Sequence, residues 1–302
     1  MAGNTAGLSH DDLWPRAGDW PNADSINGDL DLVLVGLPTA STSLSPTRAD
    51  ATPDAVREAL RKYSPFAHSA DADLDVLTLA DAGNVRDPDS DEDAATQRVA
   101  DVATRSRLVV ALGGDNAATV PAALGSWGSD VSTAGLITLD AHYDLRDGRS
   151  NGSPVRRLVE AGLDGRRVVQ IGIQDFANSR AYAERARDLG ITVITRDELL
   201  RRSLDEVMAQ ALEIAGSANG PIHVDLDVDV CDRAVAPACP ASTPGGIAAH
   251  ELRRVARVAA RHPSVASLDL TEIDATADAA DGRTVRLAAL CVLEAAAGLA
   301  LR

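Results

Sequence analysis

Short apolar runs alternate with amphipathic segments along almost the whole chain. The apolar runs end at glycine, proline or acidic residues, which is the pattern of buried strands. They cover residues 30–37, 75–80, 107–112, 136–139, 167–173, 191–194, 222–230 and 265–270. The amphipathic segments predict helices at residues 55–63, from the acidic loop at 87–93 to about 104, at 155–161, at 179–189, in two stretches up to 218, at 250–261 and at 283–299.

Strands that alternate with helices indicate an α/β fold, because this order builds a mostly parallel sheet, here of eight strands, with helices on both faces. No low-complexity linker and no internal repeat interrupts the pattern. We therefore expect a single domain over residues 1–302, with an irregular leader at 1–29. At the first helix, Thr52 fits the N-cap and Pro53 fits the first turn.

The loops that follow the strands hold most of the unusual residues. In a parallel sheet such loops share one edge, where ligand sites form. One of them, Gly113-Gly114-Asp115-Asn116, allows a tight turn with close backbone approach. It matches neither the G-x-G-x-x-G pattern of dinucleotide-binding folds nor the G-x-x-x-x-G-K pattern of phosphate-binding loops. We therefore exclude a nucleotide site at this turn.

A first cluster of metal-ligand residue types follows the strand at 136–139. Asp140, His142 and Asp144 alternate as D-x-H-x-D, and a period of two puts all three side chains on one side of the backbone if the strand direction persists. Two carboxylates and an imidazole suit a borderline divalent cation such as Mn²⁺. The alternative is a set of solvated acids at the end of a strand.

A second acidic cluster lies in the valine-rich run at 222–230. Asp225, Asp227 and Asp229 alternate there, and Asp232 follows. Carboxylates buried in such a run carry a large desolvation cost unless they are paired, protonated or bound to metal. An edge strand with its acids facing water is the alternative for Asp225 and Asp227, but it accounts poorly for the Pro/Gly loop that follows. Because parallel strands end at the same edge, we expect the two clusters to meet in a metal centre.

Composition narrows the possible partners. A net charge of −16 argues against nucleic acid or an anionic membrane surface, since either would repel the protein. No apolar run approaches the roughly 18–20 residues of a membrane-spanning helix, and the polar, acidic N-terminus lacks the features of a signal or transit peptide. Cys231, Cys239 and Cys291 cannot all pair and form no C-x-x-C motif, which favours a reduced, cytoplasmic setting. Whether Cys231 and Cys239 are redox-active or inert stays open.

Five motifs, in the order GGDN, DAHYDLR, SNGSP, DVDVCDRAVAPACPASTPGG and TEID, resemble the arginase–agmatinase family of dinuclear manganese ureohydrolases. The resemblance runs from about residue 32 to 299. It implies a three-layer α/β/α sandwich with two Mn²⁺ ions at the carboxyl edge of the strands. Within the family, IGIQDFANSRAY, APACP and DGRTVRLAA resemble the formimidoylglutamases, which implies hydrolysis of N-formimidoyl-L-glutamate to L-glutamate and formamide in histidine degradation.

The resemblance also implies a role for each matching ligand. Asp140 and Asp227 bridge the two ions, His142 and Asp229 complete the shell of one ion, and Asp144 binds the other.

Two asparagines depart from the family pattern. Asn116 stands where most relatives have a histidine bound to the second ion, and an amide oxygen is a weaker, uncharged ligand. We therefore expect the second ion to be weakly held or absent; the alternative is that Asn116 only caps the helix that begins there. Asn151 stands where many relatives have a proton-relaying histidine, and an amide cannot relay protons near neutral pH.

The implied mechanism is attack on the amidine carbon by a metal-bound hydroxide, formed when two cations lower the pKa of a bridging water. Asp144 orients the hydroxide and carries its proton to the leaving amine, and Glu272 pairs with the amidinium. For the two substrate carboxylates we favour Arg146 and Asn178, with Asn151 and Ser179 as further binding candidates. The alternative for Glu272 is a surface salt bridge, and for each arginine an ordinary surface position.

Two other functions stay open. One is a guanidinobutyrase, agmatinase or arginase type of hydrolase, although arginines near the site favour a dianionic substrate. The other is a non-catalytic, metal-poor member of the family. Relatives usually form trimers or hexamers, so we expect a homo-oligomer that takes a small amidine substrate and binds neither nucleic acid nor membrane.

Overall fold

A computed structural model describes residues 8–302 of the chain. The first seven residues of the predicted irregular leader lie outside the described residues. Residues 8–29 contain a single short turn of 3₁₀ helix, Ala23–Ser25, and are otherwise irregular. Within the described part of the chain, no helix is both long and apolar enough to cross a membrane.

Eight strands form one parallel sheet, which confirms the predicted α/β class. A separate two-stranded antiparallel ribbon, formed by Phe66–Ala67 and Ala72–Asp73, lies after the first helix. The strands are β1 Leu30–Leu37, β2 Phe66–Ala67, β3 Ala72–Asp73, β4 Leu79–Asn84, β5 Ser106–Gly113, β6 Gly135–Leu139, β7 Val168–Ile173, β8 Thr192–Thr195, β9 Ile222–Asp227 and β10 Val265–Thr271. The order across the large sheet is β4-β1-β5-β10-β9-β6-β7-β8.

Within residues 8–302, eight α-helices cover the two faces of the sheet and complete a three-layer sandwich. They are α1 Thr52–Leu60, α2 Glu92–Ala103, α3 Thr119–Trp127, α4 Pro154–Glu160, α5 Arg180–Asp188, α6 Leu204–Ala215, α7 Ala249–Arg261 and α8 Arg283–Ala300. One face packs against α1, α6, α7 and α8, and the other packs against α2 to α5.

Successive side chains along each strand point to opposite faces of the sheet, so the buried residues pack against one or the other of the two helix layers. On β6, Ile137 and Leu139 face the layer that contains α8, whereas Leu136 faces the layer that contains α3. All of these side chains are fully buried, and each contributes about 1.5–3 kcal/mol relative to an exposed position.

Three predicted boundaries were wrong. Residues 74–76 form a 3₁₀ turn and the strand begins at Leu79, because the side chain of Asp73 accepts the N–H of Asp75 and closes the turn. Helix α1 starts at Thr52, so Thr52 is its first residue rather than its cap; its hydroxyl donates instead to the carbonyl of Ile273. Strand β9 ends at Asp227, since its carboxylate accepts the N–H of Asp229 and turns the chain.

Candidate metal centre and cavity

Four neighbouring strands in the middle of the sheet, β5, β10, β9 and β6, deliver the predicted site residues to one edge. Parallel strands end together, so loops far apart in sequence meet there. The contributing segments are 113–116 after β5, 140–144 after β6, 227–229 at the end of β9, and Glu272 after β10. The two acidic clusters therefore meet, as the sequence predicted.

Asp140, His142 and Asp229 form a compact group of possible metal ligands. One ligand atom from each lies within 4.8 Å of the others. Nδ1 of His142 is 2.6 Å from Oδ2 of Asp229 and 3.5 Å from Oδ1 of Asp140. The N–H of Ala141 donates to Oδ1 of Asp229, which ties the β6 loop to the β9 loop and fixes the spacing of the group.

Asn116 and Asp144 lie together beside that group. Nδ2 of Asn116 donates to Oδ2 of Asp144 at 2.6 Å, and Oδ1 of Asn116 accepts from the hydroxyls of Thr119 and Thr271. Asn116 is not a helix cap: it is the first residue of a 3₁₀ turn, Asn116–Ala118, which Asp115 caps by accepting the N–H of Ala117, and the following α3 has no side-chain cap.

The electrostatics of this cluster favour a bound cation. Burial, together with neighbouring carboxylates, raises the pKa of Asp140 and Asp227 well above the ordinary range, and burial raises that of Asp144 to about 7. Burial also acts on Asp229, but the adjacent His142 holds the pKa of that carboxyl below its usual value.

Oδ2 of Asp140 is buried and has no hydrogen-bond partner among residues 8–302. An unpaired buried carboxylate oxygen costs free energy that a cation removes. The donor set of carboxylates and an imidazole therefore fits a divalent ion of the Mn²⁺ type.

Glu272 lies at the same edge in a left-handed backbone conformation, with a φ of 61°. Its Oε1 accepts the N–H of Asn116 at 2.8 Å and Nδ2 of Asn151 at 2.7 Å. Its own N–H donates to the carbonyl of Gly114 at 2.9 Å. Burial raises the pKa of Glu272 to about 8.

The close backbone approach predicted at Gly114 is confirmed. A Cβ added to Gly114 would lie 1.9 Å from the carbonyl oxygen of Thr39, so this backbone contact excludes any side chain.

A cavity of about 670 Å³ opens onto the cluster. His142, Asp144, Asp227, Asp229 and Glu272 form part of its wall. The predicted substrate-binding residues also line it: Arg146, Asn151, Asn178 and Ser179.

These four residues differ in how many of their polar groups are already bonded. The side chain of Asn178 is bonded to the backbone of Ala141, Tyr143 and Gln174, so it braces the β6 loop. The hydroxyl of Ser179 caps α5. The guanidinium of Arg146 is exposed and makes no hydrogen bond or ion pair with any of the described residues, so it is available to an anion.

Tyr182 and Arg185 on α5 are among the cavity residues that the sequence interpretation missed. Arg185 donates to the carbonyl of Leu145 and to Asp147, and its guanidinium lies 5.7 Å from the ring centre of Tyr182. Positions three apart on a helix share a face, so the spacing from Ser179 through Tyr182 to Arg185 was the available signal.

Asp269, which faces Asp225 on the neighbouring strand, was also missed. Asp225 on β9 lies opposite Asp269 on β10, both are buried, and Oδ2 of Asp269 lies 3.2 Å from Nε2 of the buried His223. The alternative of an edge strand with acids facing water is wrong, because β9 is central and all six of its residues are buried.

All three cysteines are free and buried, and burial raises the pKa of each thiol. A buried, protonated thiol is unreactive, so the structure favours the inert alternative for Cys231 and Cys239.

Comparison with known proteins agrees with this geometry. The model of the arginase family matches residues 30–298. The chain is 33% identical over 256 residues to a formimidoylglutamase of Halalkalibacterium halodurans, covering 81% of this chain and 80% of that protein. The crystal structure of formimidoylglutamase from Bacillus subtilis subsp. subtilis str. 168 superposes with a TM-score of 0.89 at 27% identity, covering 98% of this chain and 95% of that one.

A structure of Trypanosoma cruzi formiminoglutamase with Mn²⁺ has the same fold, with a TM-score of 0.81 at 24% identity over 90% of this chain and 94% of that one. The family match covers most of the chain and includes every strand of the large sheet. The chain therefore belongs to the arginase family.

Proposed function

We propose that this protein is a manganese-dependent hydrolase that cleaves N-formimidoyl-L-glutamate to L-glutamate and formamide. The observation that carries the proposal is one cavity that joins a cation-binding cluster, a buried carboxylate for an amidinium and an unpaired arginine for a carboxylate. The similarity to formimidoylglutamases over most of the chain supports the choice of substrate.

Six side chains would hold two Mn²⁺ ions. By the resemblance to the family, Asp140 and Asp227 would be shared by the two ions, and His142 and Asp229 would complete one shell. Asp144 and Asn116 would form the weaker site. When bound, Mn²⁺ supplies Lewis-acid activation of a water molecule for attack at neutral pH.

Glu272 would bind the amidinium group. Two protein donors occupy one of its oxygens, and the carboxylate lines the cavity, so its second oxygen is available to the N–H groups of a planar cation. Such charge-assisted hydrogen bonds are strong and directional. They would hold the amidine carbon over the cation-binding cluster.

Asp144 would orient the attacking water and transfer a proton. A C–O bond forms at the amidine carbon and the C–N bond to the glutamate nitrogen breaks. The proton lost by the water passes through a carboxylate oxygen of Asp144 to the departing amine. The products are L-glutamate and formamide, so one water is consumed and no other reactant is needed.

Arg146 would bind a substrate carboxylate, because its charge is otherwise unpaired within the described residues and it lines the cavity. Asn151, Asn178 and Ser179 complete this side of the wall. A cationic substrate such as agmatine would meet Arg146 with like charge, which disfavours the agmatinase alternative.

A panel of substrates tests the proposal. The Mn²⁺-loaded protein should release formamide from N-formimidoyl-L-glutamate and no urea from agmatine, arginine or guanidinobutyrate. Release of urea from any of these three guanidine compounds would contradict the proposed substrate and identify a guanidine hydrolase. Inactivity on all four with Mn²⁺ bound would favour a non-catalytic family member.

Assembly into a trimer or hexamer and a cytoplasmic location stay predictions. Light scattering after size exclusion tests the first, and cell fractionation tests the second.

A further inference from the structure

The side chain of Asn151 joins two separate parts of the cavity wall. Its Nδ2 donates to Oε1 of Glu272 at 2.7 Å, and its Oδ1 accepts the N–H of Leu44 at 3.0 Å. The orientation of the amide is fixed by its partners, because a flipped amide would set donor against donor at Leu44 and acceptor against acceptor at Glu272. Both polar atoms of Asn151 are therefore committed to protein partners.

The Leu44 side of this link belongs to the mouth segment, which we define as residues 39–48 after β1. Leu44 and Ser45 line the cavity. The ends of the segment are held by other residues: Asp89 accepts the N–H groups of Ala40 and Ser41 at 2.9 Å, and Asp274 accepts that of Arg48 at 2.8 Å.

The middle of the mouth segment has fewer anchors. The buried hydroxyls of Thr42 and Ser43 have no partner among residues 8–302. The N–H of Asn151 donates to the carbonyl of Thr42 at 3.4 Å, which adds a backbone contact to the one at Leu44. Asn151 is therefore the side chain that holds the part of the segment facing the cavity.

The Glu272 side of the link is equally direct. Oε1 of Glu272 is held by the N–H of Asn116, which begins the 3₁₀ turn after Gly114, and by Asn151. A change in the position of Asn151 would turn this carboxylate and shift the mouth segment together, since the same amide group bonds both.

We propose that Asn151 is a positioning residue that couples the mouth segment to the carboxylate of Glu272, so that the two walls of the cavity are set as one unit. Its amide has no titratable proton near neutral pH, so its contribution is geometric. The consequence for catalysis rests on the proposed function, but the coupling itself does not.

Hydrogen exchange of the mouth segment in the full-length, Mn²⁺-loaded protein tests the coupling without any substrate. Glu272→Ala removes an acceptor that makes no hydrogen bond to the segment among the described residues, yet we expect exchange at residues 42–45 to become at least about fivefold faster, as in Asn151→Ala. Glu251→Ala, which removes the capping carboxylate of α7, is the matched control and should leave residues 42–45 unchanged.

Faster exchange in Asn151→Ala alone, with Glu272→Ala like the parent, would overturn the coupling, and so would unchanged exchange in both. If Glu272→Ala does not fold, Glu272→Met keeps the side-chain volume without an acceptor and gives the same result. Neither outcome depends on which substrate the protein hydrolyses.

Asn151→Asp tests whether Asn151 couples the mouth segment to Glu272 or only anchors the mouth segment. Its carboxylate can still accept the N–H of Leu44, but it replaces a donor to Glu272 by a like charge. We expect exchange at residues 42–45 to become faster, as in Glu272→Ala, and kcat/KM to fall about 100-fold, whereas Asp89→Asn, which affects the segment away from Glu272, should keep kcat/KM within about threefold of the parent. A kcat/KM for Asn151→Asp equal to that of Asp89→Asn would contradict the positioning role.

Discussion

The amide nitrogen of Asn116 lies 2.6 Å from Oδ2 of Asp144, so the two side chains proposed for the weaker ion are bonded to each other. The oxygen of Asn116 meanwhile accepts from the hydroxyls of Thr119 and Thr271. To bind a cation, the amide must turn its oxygen towards Asp144 and give up these hydrogen bonds. This rearrangement adds to the intrinsic weakness of an amide ligand.

Asn116→His should therefore strengthen binding of the second Mn²⁺. An imidazole supplies a better donor atom for this ion, and we expect the second dissociation constant to fall by about tenfold or more. Metal content after dialysis, measured by mass spectrometry, should rise from about one ion per chain towards two. Thr119→Ser is a matched control that keeps the hydroxyl; an Asn116→His protein that retains no more metal than this control would contradict the prediction.

Mn²⁺ should stabilise the folded protein. Buried carboxylates repel one another without a cation, and an ion that binds only the folded state adds about 2.7 kcal/mol when its concentration is 100 times its dissociation constant. Thermal unfolding with increasing Mn²⁺ should show a rising melting temperature that a chelator reverses. Asp140→Asn should lose most of this shift, whereas Asp130→Asn, at an exposed turn outside the site, should keep it.

Arg146→Gln should weaken substrate binding more than it slows turnover. The lost charge removes about 1.5–3 kcal/mol from a charge-assisted contact, which corresponds to a KM about 10- to 150-fold higher with kcat changed less. Steady-state kinetics of formamide release measure both constants. Arg187→Gln makes the same change at an exposed position of α5 that is not part of the cavity lining. Equal KM values in the two variants would remove Arg146 from the substrate site.

Gly114→Ala should destabilise the fold and the site together. The new Cβ would lie 1.9 Å from the carbonyl oxygen of Thr39, and relief of that clash must move the turn that accepts the N–H of Glu272. We expect a loss of about 3 kcal/mol in the free energy of unfolding, measured with urea. Gly83→Ala meets no atom within 4 Å, although its φ is +71°, and should cost about 1 kcal/mol.

The sequence predicted the class of fold and the position of the site because both depend on local patterns. Buried parallel strands are continuous apolar runs, and their loops collect at one edge whatever the order of the strands. The acids at 140–144 and 227–229 could thus be brought together without knowledge of the strand order. The boundary of β4 could not be predicted, because the carboxylate of Asp73 ends the preceding segment in a turn.

Features that depend on tertiary contacts could not be predicted from the sequence. Nothing local distinguishes the bracing amide of Asn178 from an amide that binds a ligand, since its three partners are backbone groups of the folded loop. The pair of Asp225 and Asp269 requires the register of two strands separated by more than thirty residues. The link from Leu44 through Asn151 to Glu272 joins three loops that only the folded sheet brings together.

Release of formamide from N-formimidoyl-L-glutamate, followed with and without Mn²⁺ for the parent protein and Glu272→Gln, tests the central claim most directly. We predict activity that a chelator abolishes and Mn²⁺ restores. In Glu272→Gln, kcat/KM should fall about 30- to 150-fold, because the ion pair with the amidinium is lost while metal content is retained. Formamide release that survives chelation, or that is unchanged in metal-loaded Glu272→Gln, would contradict a manganese hydrolase that holds its substrate through Glu272.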